Sequence, residues 1–264
     1  MFSEDYRSRF AGVARLYGVP ALEKLARSRV CLVGLGGVGS WTCEALARSG
    51  VGALTLIDAD DVCATNANRQ LHALDGNFGR AKADALAERV RAINPECAVS
   101  VQKIFVDREN APSFFEERRG AFDLVVDAID GARNKAALIA ACVAAGTPVV
   151  SSGGCAGKRD GGRTECGDLA DAEGDALLGV VRRELRSRFG FPKGNSGRKI
   201  GVRVVFSRER PLPPEDSAAA DAAFPQMISP AGGRPRAGTA AFVTGAFGLA
   251  LAQLAVETLI SSAA

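Results

Sequence analysis

Val30–Cys31–Leu32–Val33–Gly34–Leu35–Gly36–Gly37–Val38–Gly39 runs from an apolar segment into a glycine cluster, and a helical pattern over 40–49 leads to a second apolar run ending in Asp58. The predicted order is strand, tight turn, helix, strand. The turn must be sharp, the backbone must approach a phosphate and the helix must pack near the strand, so side chains at Gly34, Gly36 or Gly39 would obstruct one of these. A phosphate then sits on the amides at the helix start, where the helix dipole favours negative charge. Asp58, about 20 residues beyond the turn, is placed to accept hydrogen bonds from ribose hydroxyls. Three glycines alone are a weak signal, and a glycine turn kept for packing is the competing reading. The strand before, the helix after and the acid closing the next strand favour nucleotide binding.

The 264 residues suffice for one large α/β domain or two small ones, with a core that needs no disulfide. A formal charge of +3 does not announce a nucleic-acid protein, although local clustering can. The seven cysteines include no C-x-x-C pair, and Met1–Phe–Ser–Glu–Asp5 lacks the layout of a signal peptide. The expectation is a reducing cytoplasm, thiols that mostly serve as small packing groups, and no structural zinc. Residues 240–260 are mostly apolar but are interrupted by Thr244, Gln253, Glu257 and Thr258. A helix buried against the sheet is expected there, and membrane association is not favoured.

Residues 1–28 form an arm upstream of the first strand, with a helical stretch from Pro20 to Arg27. It covers an exposed face or reaches a partner subunit. The polar loop after Asp58 leaves the carboxyl end of a strand, where α/β sheets bind ligands. A helix over 79–93 stops at Asn94–Pro95 and carries Lys82 in its first turn; a cation there opposes the dipole unless an anion is its partner, a solvated lysine being the alternative. Strands are expected at 99–105, 122–130 and 147–152, with a helix or irregular crossover over 107–119 and a helix over 134–145. Alternation from 29 to 152 implies a Rossmann-like, doubly wound, mainly parallel α/β sheet. The extension over 153–264 opens with a glycine-rich polar segment, then a helix over 175–189, a strand over 200–206 and a mobile loop or crossover over 211–238. The whole reads as one domain of arm, nucleotide-binding core and substrate-side extension.

Asp58, Asp60, Asn66, Arg69, Lys82 and Asp130 are the polar groups predicted at the carboxyl edge of the sheet. A dinucleotide oxidoreductase, or a sensor that binds NAD without turning it over, gives no reason for Arg69, Lys82 and Asp130 together. A nucleoside triphosphate does: two cations neutralise the outer phosphates while a carboxylate holds the magnesium that bridges them. No G-x-x-x-x-G-K-[ST] sequence occurs, so this is not a P-loop protein.

Gly34-x-Gly36–Gly37–Val38–Gly39–Ser40, Asp58-x-Asp60, Asn66-x-x-Arg69–Gln70, Lys82 and Asp127-x-x-Asp130 together resemble the adenylating enzymes of the ThiF/MoeB superfamily, relatives of the ubiquitin activators. The resemblance implies ATP and Mg2+ as cofactors, attack of a substrate carboxylate on the α-phosphate, and release of pyrophosphate from an acyl-adenylate. It implies ribose binding at Asp58, triphosphate binding at Arg69 and Lys82, and magnesium at Asp130. Arg9 is similar to an arginine that reaches the neighbouring subunit's ATP, which implies a homodimer.

Within the superfamily, segments 9–18, 57–63, 66–73, 93–97 and 125–130 resemble the tRNA threonylcarbamoyladenosine dehydratases. That likeness implies a tRNA substrate in which the threonyl carboxylate beside the anticodon is adenylated and a carbamoyl atom of the same group closes a five-membered ring. Sulfur-transfer proteins are possible partners. Activation of a ubiquitin-like sulfur carrier is the rival reading; it ordinarily uses paired zinc cysteines, which are missing. Cys155 and Cys166 are the candidates for thioester chemistry, and His72, the one histidine, for a general base; packing is the alternative for each. The arginines from Arg182 to Arg188, with Lys193, Arg198, Lys199, Phe189 and Phe191, recur at helical spacing and can form one cationic face for RNA, or a solvated helix.

Overall fold

A computed structural model describes residues 2–192, 198–211, 223 and 237–261. The chain enters through α1 (Glu4–Tyr17) and α2 (Val19–Arg27). Ser3 starts α1 by accepting from the Tyr6 N–H at 2.9 Å, Glu4 and Asp5 suit the positive end of the dipole, and Gly18 breaks the helix at φ +90°. Tyr6, Phe10 and Leu22 give the arm its own apolar cluster, and the Tyr6 hydroxyl pins it by donating to the Gly50 carbonyl at 2.5 Å.

From there elements alternate: β1 (Arg29–Val33), α3 (Gly37–Arg48), β2 (Ala53–Ile57), α4 (Lys82–Ile93), β3 (Ala98–Gln102), α5 (Ala111–Glu117), β4 (Leu124–Asp127), α6 (Ala132–Ala144) and β5 (Val149–Ser152). β6 (Thr164–Asp168), α7 (Ala176–Arg188), β7 (Arg203–Ser207) and α8 (Ala241–Ser261) follow. Among the described residues the strands form one sheet in the order β3-β2-β1-β4-β5-β7-β6, parallel except for β6 against β7. The winding direction switches between β1 and β4, the place where such sheets hold ligands.

Alternate residues of each strand serve opposite faces. Val30 and Leu32 pack with Leu46, Leu86 and Phe247 on the side of α3, α4 and α8, whereas Cys31 and Val33 pack with Phe115, Ile139 and Leu178 on the side of α5, α6 and α7. Because both faces are covered, the central strands read as nearly continuous apolar runs. The edge strand β6 differs. Residues 153–167 read as a glycine-rich polar segment with no strand assigned, and their end forms a 3-10 turn at Gly161–Arg163 and then β6. A short polar strand paired on one side carries no periodic apolar signal. The expected loop over 211–238 lies mostly outside the described residues.

α8 has 21 residues and a mean hydropathy of 1.6, long and apolar enough to cross a membrane. Here it is packed into the core, with Val243, Phe247, Leu251 and Leu254 buried. Small residues let it lie close on α3: a Cβ at Gly248 would stand 2.6 Å from both the Trp41 Cβ and the Val38 oxygen. The Thr42 hydroxyl reaches across to the Gly248 carbonyl at 3.0 Å.

Two buried polar arrangements bear on stability. Lys135 and Asp127 are fully enclosed and 2.8 Å apart; Ser151 donates to the same carboxylate oxygen at 2.7 Å, and the Lys135 ammonium lies 3.1 Å from the Ser151 hydroxyl. Removing the lysine strands a buried carboxylate, so Lys135→Met should cost about 3–5 kcal/mol in denaturant unfolding. Lys135→Met with Asp127→Asn, which removes the charge, should recover much of that loss; a double variant no more stable than the single one would refute the ion-pair account. His72 is also buried, neither ring nitrogen has a hydrogen-bond partner among the described residues, and burial followed by the Lys82 charge pulls its pKa down to about 4. Between about pH 6.5 and 4 the unfolded chain binds a proton that the folded chain refuses, so stability should fall as pH drops through that window, by about 3 kcal/mol. Comparing His72→Leu with the parent chain at pH 7 and pH 5 checks this, because the variant lacks that part of the slope.

Candidate active site

The glycine turn is built by exclusion. Gly34 has φ +87°, and a Cβ there would stand 2.9 Å from the Ala128 carbonyl carbon, so the turn presses against the end of β4. At Gly39 a Cβ would overlap the Gly34 carbonyl oxygen, which fixes how closely α3 leaves β1. Gly36 is different: its nearest neighbour beyond the turn is the Gln70 Nε2, 3.9 Å from where a Cβ would lie, so this side of the turn is open. A Cβ on Gly37 would meet Thr244 Cγ2 at 3.1 Å and Arg69 Cγ at 3.4 Å. α3 begins without a side-chain cap, leaving its positive end for another acceptor.

Asp58, just past β2, accepts from the Leu35 N–H at 2.7 Å through Oδ2 and from the Asp60 N–H at 2.8 Å through Oδ1. One carboxylate thus ties the glycine turn to the loop after β2, and each oxygen retains a lone pair. Lys82 is the first residue of α4; its backbone N–H donates to the Asp60 carbonyl and its buried side chain reaches the Asp60 carboxylate at 2.7 Å. The anion expected to accompany a lysine at a helix start is therefore Asp60, itself half exposed.

The loop between them is shaped by Asn66, whose Oδ1 accepts from the Cys63 N–H at 3.1 Å and whose carbonyl accepts from the Arg69 and Gln70 N–H groups. Arg69 lies across the start of α3 with its guanidinium near the Thr65 carbonyl and the Asn68 Oδ1, each at 2.9 Å. Its carbonyl accepts from Trp41 Nε1 at 3.1 Å and from the Thr244 hydroxyl at 3.3 Å. Trp41 and Thr244 were not anticipated: only the α3–α8 contact brings them to this loop. Gln70 is buried, and its Oε1 has no partner among the described residues.

Asp130 follows β4 in the loop entering α6. It is exposed, and no hydrogen bond or ion pair holds its carboxylate among the described residues. Asp127 steadies the loop by accepting from the Ile129 N–H at 3.2 Å. Gly34, Gly36, Gly37, Gly39, Asp58, Asp60, Asn66, Arg69 and Lys82 are linked through the contacts above, and Asp130 lies two residues beyond Ala128, against which the glycine turn packs.

Arg9 is elsewhere. It pairs with Asp5 at 2.7 Å and donates to the Ile93 carbonyl at 3.3 Å, at the amino edge of the sheet where α4 ends. Within one chain it is on the opposite edge from the glycine turn. Cys155 is held protonated by burial, then by Asp175, with its pKa pushed up to about 12. The Cys166 thiol is also raised, burial first and Glu257 second. Neither is a ready nucleophile. Among the described residues no three acidic, histidine or cysteine side chains converge as a metal cluster.

The model of the ThiF family matches residues 8–171. The tRNA threonylcarbamoyladenosine dehydratase of Escherichia coli (strain K12) is 44% identical over 269 residues, covering 100% of this chain and 98% of the relative. The enzyme of that name from Haemophilus influenzae is 44% identical over 206 residues, covering 78% of this chain and 77% of the relative. A crystal structure of the Escherichia coli dehydratase in complex with ATP superposes with a TM-score of 0.86 at 43% identity, covering 99% of this chain and 97% of that one. The chain belongs to the ThiF family.

Proposed function

We propose that this protein is an ATP-dependent tRNA threonylcarbamoyladenosine dehydratase, which adenylates the threonyl carboxylate and lets the same group cyclise. The observation that carries this reading is the pair of cations beside the glycine turn: Arg69 across the start of α3, and Lys82 held at the mouth of the site by Asp60. The full-length similarity to dehydratases of that name supports it.

In this scheme the ribose hydroxyls donate to the free lone pairs of Asp58, and the open backbone at Gly36 lies along the phosphates. Gln70 contributes its unpartnered oxygen or its amide to the same ligand. Lys82 turns from Asp60 toward the polyphosphate, sharing its charge between them. A free carboxylate at Asp130 suits Mg2+, which binds proteins through one or two carboxylates and takes its other ligands from phosphate and water. Asp130 would hold the ion, which would supply positive charge to the phosphates. The threonyl carboxylate oxygen bonds to the α-phosphorus as the bond to pyrophosphate breaks. A carbamoyl atom then attacks the acyl carbon, AMP leaves with the original carboxylate oxygen, and the attacking group releases its proton. Attacker and acyl centre share one tether, so high effective molarity replaces an enzyme nucleophile. The high pKa of Cys155 is consistent with that.

The arm suits a homodimer in which Arg9 reaches the neighbouring subunit's phosphates, since within its own chain it sits at the opposite edge. Leu16 and Val19 of the arm are 74% and 58% exposed, apolar surface that a second subunit would cover. A cytoplasmic setting fits the seven free thiols, and sulfur-transfer proteins are candidate accessory partners.

The test is incubation with ATP, magnesium and tRNA bearing threonylcarbamoyladenosine, followed by the mass of the nucleoside. Loss of one water is expected; an unchanged mass, with pyrophosphate released only when a small carrier protein is added, would instead indicate sulfur-carrier activation. Arg69→Ala and Lys82→Ala should each slow pyrophosphate release by about 100-fold or more. Normal release from both variants, with their folds intact by circular dichroism, would sink the triphosphate assignment.

A further inference from the structure

The arginine-rich helix α7 does not present one cationic face. Arg182 turns inward to the Leu169 and Ala172 carbonyls, and Arg186 donates to the Pro192 carbonyl at 3.0 Å. Lys199 is taken up by Asp171. Only the end of the helix contributes to a recess: Glu184, Arg188 and Phe189 meet Arg108, Glu109 and Arg133 around a cleft of about 500 Å³.

Three features fit this cleft to RNA. Arg108 and Arg133 are exposed and have no hydrogen bond or ion pair among the described residues, while Glu184 is already paired with Arg188 at 2.8 Å. Glu109 is the one carboxylate not so offset, so the lining stays net positive. Next, Arg108 is presented on a fixed turn: the Asp107 carboxylate accepts from the N–H groups of Glu109 and Asn110, and the Asn110 amide donates to the Phe105 carbonyl at 2.7 Å. Last, Phe189 is 41% exposed at the rim, an aromatic face without a ring partner among the described residues.

Position makes the combination specific. Arg133 lies in the first turn of α6, three residues after Asp130, so their Cα atoms are at most about 11 Å apart. A nucleotide whose side group enters the active site therefore has its neighbours' backbone within reach of the cleft. Unpaired loop bases stack on aromatic rings, while arginines hold the phosphates.

We propose that this cleft seats the anticodon loop of the substrate tRNA, with Arg108 and Arg133 on backbone phosphates and Phe189 stacked against an unpaired base. The proposal rests on the dehydratase reading and names the surface that delivers the substrate to that site.

The experiment is a salt series of binding measurements between the full chain and threonylcarbamoyladenosine-bearing tRNA. Arg108→Gln with Arg133→Gln should weaken binding and lower the slope of log affinity against log salt by about 2, one phosphate contact per residue. Phe189→Ala should weaken binding about tenfold with the slope unchanged, as lost stacking removes no charge. Lysine at both arginine positions should restore the slope. ATP affinity, measured separately, should stay at the parent value in every variant. Parent-like tRNA affinity and slope in the double glutamine variant would overturn the proposal. A parent chain that dehydrates the nucleoside while the variants bind tRNA equally well places the failure in the cleft alone. A parent chain that binds no tRNA and answers only to a carrier protein overturns the dehydratase reading, and the cleft assignment with it.

Discussion

The site depends on a single carboxylate held by two backbone amides. Asp58 accepts from Leu35 in the glycine turn and from Asp60 in the loop after β2, joining segments that come from different strands. Charge-assisted hydrogen bonds of this kind are roughly twice as strong as neutral ones. Because the Asp60 backbone is fixed by Asp58, its side chain is placed to receive Lys82, and its carbonyl receives the first N–H of α4. An acid that reads as a ribose ligand is thus also the post on which the lysine is hung. Its two tasks are compatible because each oxygen uses only one lone pair on the protein.

A second dependence runs to the far end of the chain. α8 packs on α3 through Gly245 and Gly248, and this close approach lets Thr244 reach the Arg69 carbonyl while its methyl stands near Gly37. The cation of the loop is therefore positioned by a helix more than 170 residues later in sequence. That helix is apolar enough to pass for a membrane span, yet its apolar surface is used to lock the start of α3. Exchanging its small residues for larger ones would push it off the helix that carries the uncapped amides beside the glycine turn.

What could be read in the sequence follows from where periodicity exists. β1, β2 and β4 are covered on both sides and read as apolar runs, while α3, α4 and α6 lie between glycine, asparagine or proline signals. The glycine turn was legible because Gly34 and Gly39 answer steric demands of their own backbone. β6 was not, since an edge strand with one neighbour needs no apolar alternation. Trp41 and Thr244 were invisible for another reason: their contact with Arg69 exists only after two distant helices pack. Likewise the helical spacing of the α7 arginines suggested one face, whereas the carbonyls of Leu169, Ala172 and Pro192 engage two of them.

The charges that one chain brings to the proposed triphosphate site do not balance. Asp58, Asp60 and Asp130 carry three negative charges against two positive ones on Arg69 and Lys82, and Lys82 is already engaged. Such a set leaves one negative charge uncompensated, which disfavours a triphosphate unless the start of α3 or further cations offset it. More positive charge arriving with the nucleotide or from a second subunit would favour it further. In the proposed scheme magnesium at Asp130 would be one source, and Arg9 of a second subunit, which within its own chain lies at the opposite edge, would be the other. If both bind as proposed, each would lower the electrostatic cost of the other and of the nucleotide, and Lys82 would shift from Asp60 only toward a stronger anion.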